Sequence, residues 1–190
     1  MVRKPKIMRL KEKYQKEVVA KMMEKFGYKN TMNVPKIEKV VVNTGCGRQV
    51  SGKTSEEQKK IIDFILEDIS LICGQRAVKT YAKKAISSFK IRQGMPIGVK
   101  VNLNGKKMTD FLERLIHLTL PRTRDFKGIP SESLDQQGNL TIAIKEHIAF
   151  PEILPEKVKN IFGLEITIVT TAKSKEEALE LFRLLGFPIK

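Results

Sequence analysis

From Ile69 to Thr109 the chain runs 41 residues with nine Lys and Arg and without one Asp or Glu. Because that stretch also carries apolar residues at strand spacing, it is expected to fold rather than trail in solvent, and to present a surface of one sign. The commonest polyanion to meet such a surface is nucleic acid. The whole chain shares the bias, with 36 Lys and Arg against 21 Asp and Glu and a formal net charge of +15. Hydrophobic residues at 41% and charged residues at 30% match a globular composition rather than a disordered basic tail. One domain spanning residues 1–190, with its own core, is expected for this length.

Several function classes fall away. Cys46 and Cys73 lie too far apart for a zinc knuckle and lack the second thiol or paired histidines it needs, so they read as reduced, buried thiols of a cytosolic protein. No metal or cofactor is expected. Apolar runs extend only a few residues, and the basic start has no apolar segment behind it, so neither a secretory signal nor a membrane span is expected.

Along the chain, Leu10, Tyr14, Val18, Met22 and Phe26 recur every four residues, predicting an amphipathic helix over 9–26 that Gly27 stops. A turn at Asn33 and Pro35 precedes a β-branched strand over 37–43, ended by Gly45 and Gly47. Thr54-Ser-Glu-Glu57 matches a capping box and opens a second helix, with Ile61, Ile62, Ile65, Leu66, Ile69 and Ile72 on one side and Gly74 as its stop. Strands at 77–81 and 97–103 predict a long hairpin. Asn104-Gly105 signals a turn before a helix around 108–118 that ends near Pro121. From Arg122 to Asn139 no period is visible. Strands at 140–145 and 164–171 and a helix over 174–185 complete the chain. The order of elements predicts an α+β fold, a mainly antiparallel sheet with helices packed on one face.

The sharpest enzymatic signal is Gly47-Arg-Gln-Val-Ser-Gly52-Lys53-Thr54, which fits a phosphate-binding loop between strand and helix. Glu56 and Glu57 oppose it. They place carboxylates at the helix terminus where phosphates would sit, and suit a capped helix better. The best later metal-binding candidate, Ile142-Ala-Ile-Lys-Glu146, is poor. His117 and His147 lack a neighbouring nucleophile pattern and read as core or surface residues. In the 69–109 region, by contrast, Gln75, Thr80, Ser87, Ser88, Gln93 and Asn102 alternate with Arg76, Lys79, Lys83, Lys84, Lys90, Arg92 and Lys100. Such a mixture neutralises phosphates and reads sugars and base edges. Tyr81 and Phe89 could stack on bases, with a core role for Phe89 at least as good a reading.

Ile69-Ser-Leu-Ile-Cys-Gly-Gln-Arg-Ala-Val-Lys-Thr-Tyr-Ala-Lys-Lys-Ala85 resembles the signature of the fifth protein family of the large ribosomal subunit, which binds 5S rRNA. Asn33-Val-Pro-Lys-Ile-Glu-Lys39, Phe89-Lys-Ile-Arg-Gln-Gly-Met-Pro-Ile-Gly98, Pro121-Arg-Thr-Arg-Asp-Phe-Lys-Gly128, Phe150-Pro-Glu152 and Thr170-Thr-Ala-Lys173 are similar to the bacterial form in order and spacing. The resemblance covers essentially the whole chain.

It implies a non-enzymatic constituent of the central protuberance, cytoplasmic and ribosome-bound. The partners it implies are 5S rRNA, large-subunit rRNA, P-site tRNA and neighbouring ribosomal proteins, including one of the small-subunit head. By resemblance, Asn43, Gly45, Gly47, Gln75, Arg76, Lys79, Thr80, Lys100 and Asn102 form the 5S rRNA site, Asn102 standing where Thr is usual. Lys83, Lys84, Ser87, Lys90, Arg92 and Gln93 form a loop towards tRNA, and Arg122, Arg124, Asp125, Phe126 and Lys127 one towards the small subunit. Thr44 and Cys46 replace the usual Met and Val, and Ser133-Leu-Asp-Gln-Gln-Gly138 lacks the family's arginine. A phosphate-loop nucleotide-binding enzyme and a generic basic RNA chaperone are the alternatives.

Overall fold

Alternation of side chains places Val40, Val42 and Thr44 of β1 (Ile37–Gly45) on one face and Lys39, Val41 and Asn43 on the other, and only the first set is buried. The same division runs through β3 (Pro96–Leu103), β4 (Leu140–Ile144) and β5 (Leu164–Thr170), whereas the edge strand β2 (Val78–Tyr81) buries none of its residues. In the computed structural model, which describes residues 9–124, 126–158 and 160–190, these strands form one antiparallel sheet in the order β2-β3-β1-β5-β4. The fold is α+β, as expected.

Four helices supply the apolar cover. They are α1 (10–26), α2 (Ser55–Cys73), α3 (105–122) and α4 (Lys175–Leu185). Ile62, Ile65, Ile69 and Ile72 of α2, Phe111, Leu112 and Leu115 of α3, and Leu181 and Phe182 of α4 all have no exposed surface and share one core with Val40, Val99, Ile166 and Ile168. Full burial of each such side chain stabilises the fold by about 1.5–3 kcal/mol relative to exposure.

The strict four-residue repeat of α1 explains an irregularity in that helix. At 3.6 residues per turn a four-residue step overshoots by about 40°, so five such positions would spiral off the core. A π-helical segment at Tyr14–Val18 widens the turn and holds the stripe closer to one face. In α3 a second one, Leu115–Thr119, precedes Pro121, which has no N–H to donate and whose ring crowds the carbonyl four residues back. The helix ends at Arg122, one residue past the proline and near where it was expected to stop. It begins earlier than predicted, because Asn104 is its N-cap and Gly105, at φ 58, its first residue.

Residues 126–139 are better anchored than their lack of period suggested. Ile129 bridges Ile189 in parallel and Leu134 bridges Leu140, and both Ile129 and Leu134 are buried.

Candidate nucleic-acid interface

Residues directly opposite in an antiparallel ladder share a face, so the register converts distant sequence positions into rows across the sheet. On the face away from the helices one row reads Val78, Lys100, Asn43, Glu165 and Ala143 from β2 to β4. Beside it, Asn102, Val41, Thr167 and Thr141 form a second row, and Thr80, Gly98 and Gly45 a third. Gln75, just past α2, donates its side-chain N–H to the Asn102 carbonyl at 2.9 Å. The structure thus gathers Asn43, Gly45, Gln75, Thr80, Lys100 and Asn102 on or beside one polar surface.

Gly98 sets how closely the strands approach there. A Cβ at this position would lie 2.7 Å from Thr80 Oγ1 and 2.8 Å from the Thr44 carbonyl oxygen, so only glycine fits. At Gly45 and Gly47 a Cβ would meet nothing within 4 Å, and local packing does not demand glycine at either. Thr44 and Cys46 are both buried, so these departures from the family pattern fill core positions.

Lys79 stands apart from the row residues. Its partner in the ladder is buried Val99, which turns its side chain to the helical side, where it pairs with Asp63 of α2. Arg76 is exposed at the sheet edge, beside a shallow apolar recess lined by Leu66, Val78 and Tyr81.

Beyond β2 and β3 the hairpin continues as a finger over residues 82–95. Ala82 donates to the Met95 carbonyl at 2.8 Å and receives from Gly94 N–H at 3.0 Å, and Ile86 and Ile91 exchange backbone bonds of 2.9 and 3.1 Å. Its tip turns at Ser87–Phe89 with Lys90 in the left-handed region at φ 53. Lys83, Lys84, Ser87, Lys90, Arg92 and Gln93 are all exposed. Phe89 is 65% exposed, which excludes the core role and leaves a ring available for stacking.

The phosphate-loop lookalike has a different architecture. Gly47–Val50 is a helical turn, and the N–H groups of Ser51 and Lys53 are spent on the Gly47 and Val50 carbonyls at 3.0 and 3.3 Å. Thr54 and Glu57 close the capping box: Glu57 Oε2 accepts from Thr54 N–H at 3.1 Å and from Thr54 Oγ1 at 3.0 Å. These two bonds to Thr54 hold the Glu57 carboxyl below its ordinary pKa. The terminus already has its anion.

Arg122, Arg124 and Lys127 are exposed, whereas Phe126 packs partly against the core. Asp125 lies outside the described residues. His117 is exposed on α3. His147 is fully buried, its ring stacked on Phe162 with centroids 3.9 Å apart and its Nδ1 accepting from Phe162 N–H at 3.4 Å. Its Nε2 faces Asp68 Oδ2 at 3.5 Å. Burial holds His147 below, and Asp68 above, the ordinary pKa. Both cysteines are buried free thiols, and burial pushes Cys73 up to about 12. Among the described residues no group of three or more His, Cys, Asp and Glu could hold a metal, and no helix is long and apolar enough to cross a membrane.

Family models match most of the chain: ribosomal protein L5 over residues 30–92 and the ribosomal L5P family C-terminus over residues 96–189. The large ribosomal subunit protein uL5 of Halothermothrix orenii is 52% identical over 179 residues, covering 94% of this chain and 97% of that protein. The chain belongs to the ribosomal protein L5 family. Its uL5 relatives from a Thermoanaerobacter species and Clostridium tetani are 51% and 48% identical, each over 95% of this chain and 97% of theirs. Membership makes this a ribosomal structural protein and not an enzyme.

Sequence reasoning missed Lys39, Glu165, Thr167 and Thr141 on the open face. The signal was present in β5, where Glu165, Thr167 and Val169 alternate with buried Ile166 and Ile168. Which face they join depends on pairing with β1, more than 100 residues earlier.

Proposed function

We propose that this protein, a structural constituent of the large ribosomal subunit, binds 5S rRNA on the open face of its sheet and helps attach that RNA to large-subunit rRNA. The observation that carries the reading is the convergence of Asn43, Lys100, Asn102 and Gln75 on the uncovered rows. Phosphates there meet Lys100, and with Lys39 and Arg76 close by, amide side chains select the site. Lys79 joins this surface only by releasing Asp63. The finger over 82–95, with Lys83, Lys84, Ser87, Lys90, Arg92 and Gln93, extends towards P-site tRNA. Arg122, Arg124, Asp125, Phe126 and Lys127 meet a protein of the small-subunit head. The whole chain acts as one RNA-binding unit in the cytoplasmic ribosome.

Binding to isolated 5S rRNA across a salt series tests the first step. If about six phosphates are neutralised, the log-log slope is roughly −4 to −5. A flat response, or equal affinity for an unrelated folded RNA of similar length, refutes site-specific binding. Loss spread evenly over many lysines would instead favour a generic chaperone.

A further inference from the structure

Glu165 is the single carboxylate in the paired rows of the open face, and it lies directly across from Asn43 on one side and Ala143 on the other. It is exposed, and no ion pair reaches it among the described residues. Beside it is a recess of about 340 Å³ whose lining includes Gly45, Ala143 and Gly163 together with Asn43, Lys145 and Glu165. A Cβ on Gly45 would find open space, whereas at Gly163 it would come within 3.2 Å of the Ile144 carbonyl. Small residues thus make up part of the lining, and Asn43, Lys145 and Glu165 supply its polar groups.

A carboxylate in the middle of a surface that neutralises phosphate is unfavourable if phosphate faces it, since like charges at close range repel. It becomes favourable if what faces it is a base edge rich in donors. An ionised carboxylate only accepts, through two oxygens in a planar fork. The Watson–Crick edge of guanine offers two parallel donors, N1–H and N2–H, with the O6 acceptor alongside. Adenine and cytosine each present one amino donor beside an acceptor nitrogen, which a carboxylate repels. Asn43, opposite Glu165 in the row, carries an amide N–H that can serve O6, and Lys145 of the same lining can hold the nucleotide's phosphate.

We propose that this recess holds one unstacked guanine of the bound RNA, read by Glu165 through N1–H and N2–H and by Asn43 through O6. The inference rests on RNA docking to the open face. It adds that Glu165, rather than marking the limit of the RNA footprint, is a specificity-determining residue within it.

Kethoxal attacks N1 and N2 of unpaired guanine, the two atoms assigned to Glu165, so protection reports the contact directly. The full-length protein and its Glu165→Gln and Glu165→Ala variants are each footprinted on 5S rRNA and titrated across a salt series. The expected result is one guanine protected by the unmodified protein and exposed again in both variants. Affinity should fall roughly 5- to 150-fold, the worth of one bidentate base contact, with the salt slope unchanged. Variants that bind as well or more tightly, or that leave every protected guanine protected, overturn the proposal while 5S binding itself stands. Failure of the unmodified protein to bind 5S rRNA overturns both. Because Glu165 is exposed on a strand, its replacement leaves the core untouched.

Discussion

Lys79 and Lys100 are neighbours in a hairpin ladder yet should contribute unequally to RNA binding, because one faces the helices and the other the open rows. Lys79 is already neutralised by Asp63, with side chains 27% and 45% exposed. Its removal costs one half-exposed ion pair, about 0.2–1 kcal/mol of folding stability, and no phosphate contact. Lys100 has no such partner among the described residues. Lys100→Ala should lower the magnitude of the salt slope by about 0.7–0.9, the share of one phosphate. Between about 50 mM and about 200 mM salt, a fourfold change, that difference shrinks the affinity gap between variant and parent by roughly threefold. Anisotropy of labelled 5S rRNA at fixed magnesium resolves this, with Lys79→Ala titrated in parallel and expected to follow the parent within a factor of about two. A slope change for Lys79→Ala equal to that for Lys100→Ala would refute the argument, since it would mean that the Asp63 pair opens when RNA docks.

Gly98→Ala should destabilise the fold by about 1–3 kcal/mol through overpacking, measured by urea denaturation; adding Thr80→Ala should recover only part, because the Thr44 carbonyl cannot retreat. Thr54→Ala, which breaks the capping box, should cost about 1 kcal/mol in the same assay while leaving 5S binding intact. His147 has a depressed folded pKa, so the unfolded chain takes up the proton first and stability should decline as pH falls below about 6.5. That component of the decline should vanish in His147→Gln when urea midpoints are compared. Cys46 and Cys73, both buried, should react with a thiol reagent only once the protein is unfolded; labelling of the native protein would contradict the packing described.

Most elements were legible because local rules agreed with the global fold. The capping box, the glycine stop at Gly74 (φ 63) and the alternating strands all appear where periodicity and capping place them. Errors fell where tertiary packing overrode a local cue. Phe89 did not join the core, because the finger carries its tip away from it. Asn104-Gly105 served as a helix start rather than a free turn. For the open face, a stretch of sequence could nominate Gln75, Lys100 and Asn102, but could not tell that Lys79 faces the other side, since facing is set by ladder register and by Asp63 on another element.

On the proposed function, the missing acids of 69–109 have two physical causes rather than one. In the finger every charged position is exposed on a two-stranded projection, so a carboxylate at those positions would meet any RNA wrapped around it. Along β2 and β3 the constraint should act on alternate residues only, and Lys79, facing inward, could tolerate the opposite sign were Asp63 to change with it. An exchange of the pair, Lys79→Asp with Asp63→Lys, tests that division: it keeps the net charge and should preserve 5S binding, whereas Lys100→Asp should abolish it. Glu165 makes the complementary point. A carboxylate does occur on the same face, but on β5, outside the acid-free stretch. On the proposed binding mode, linear charge bias marks the hairpin that meets phosphate, and the sheet register marks where, across the same face, the contact is to change from backbone to base.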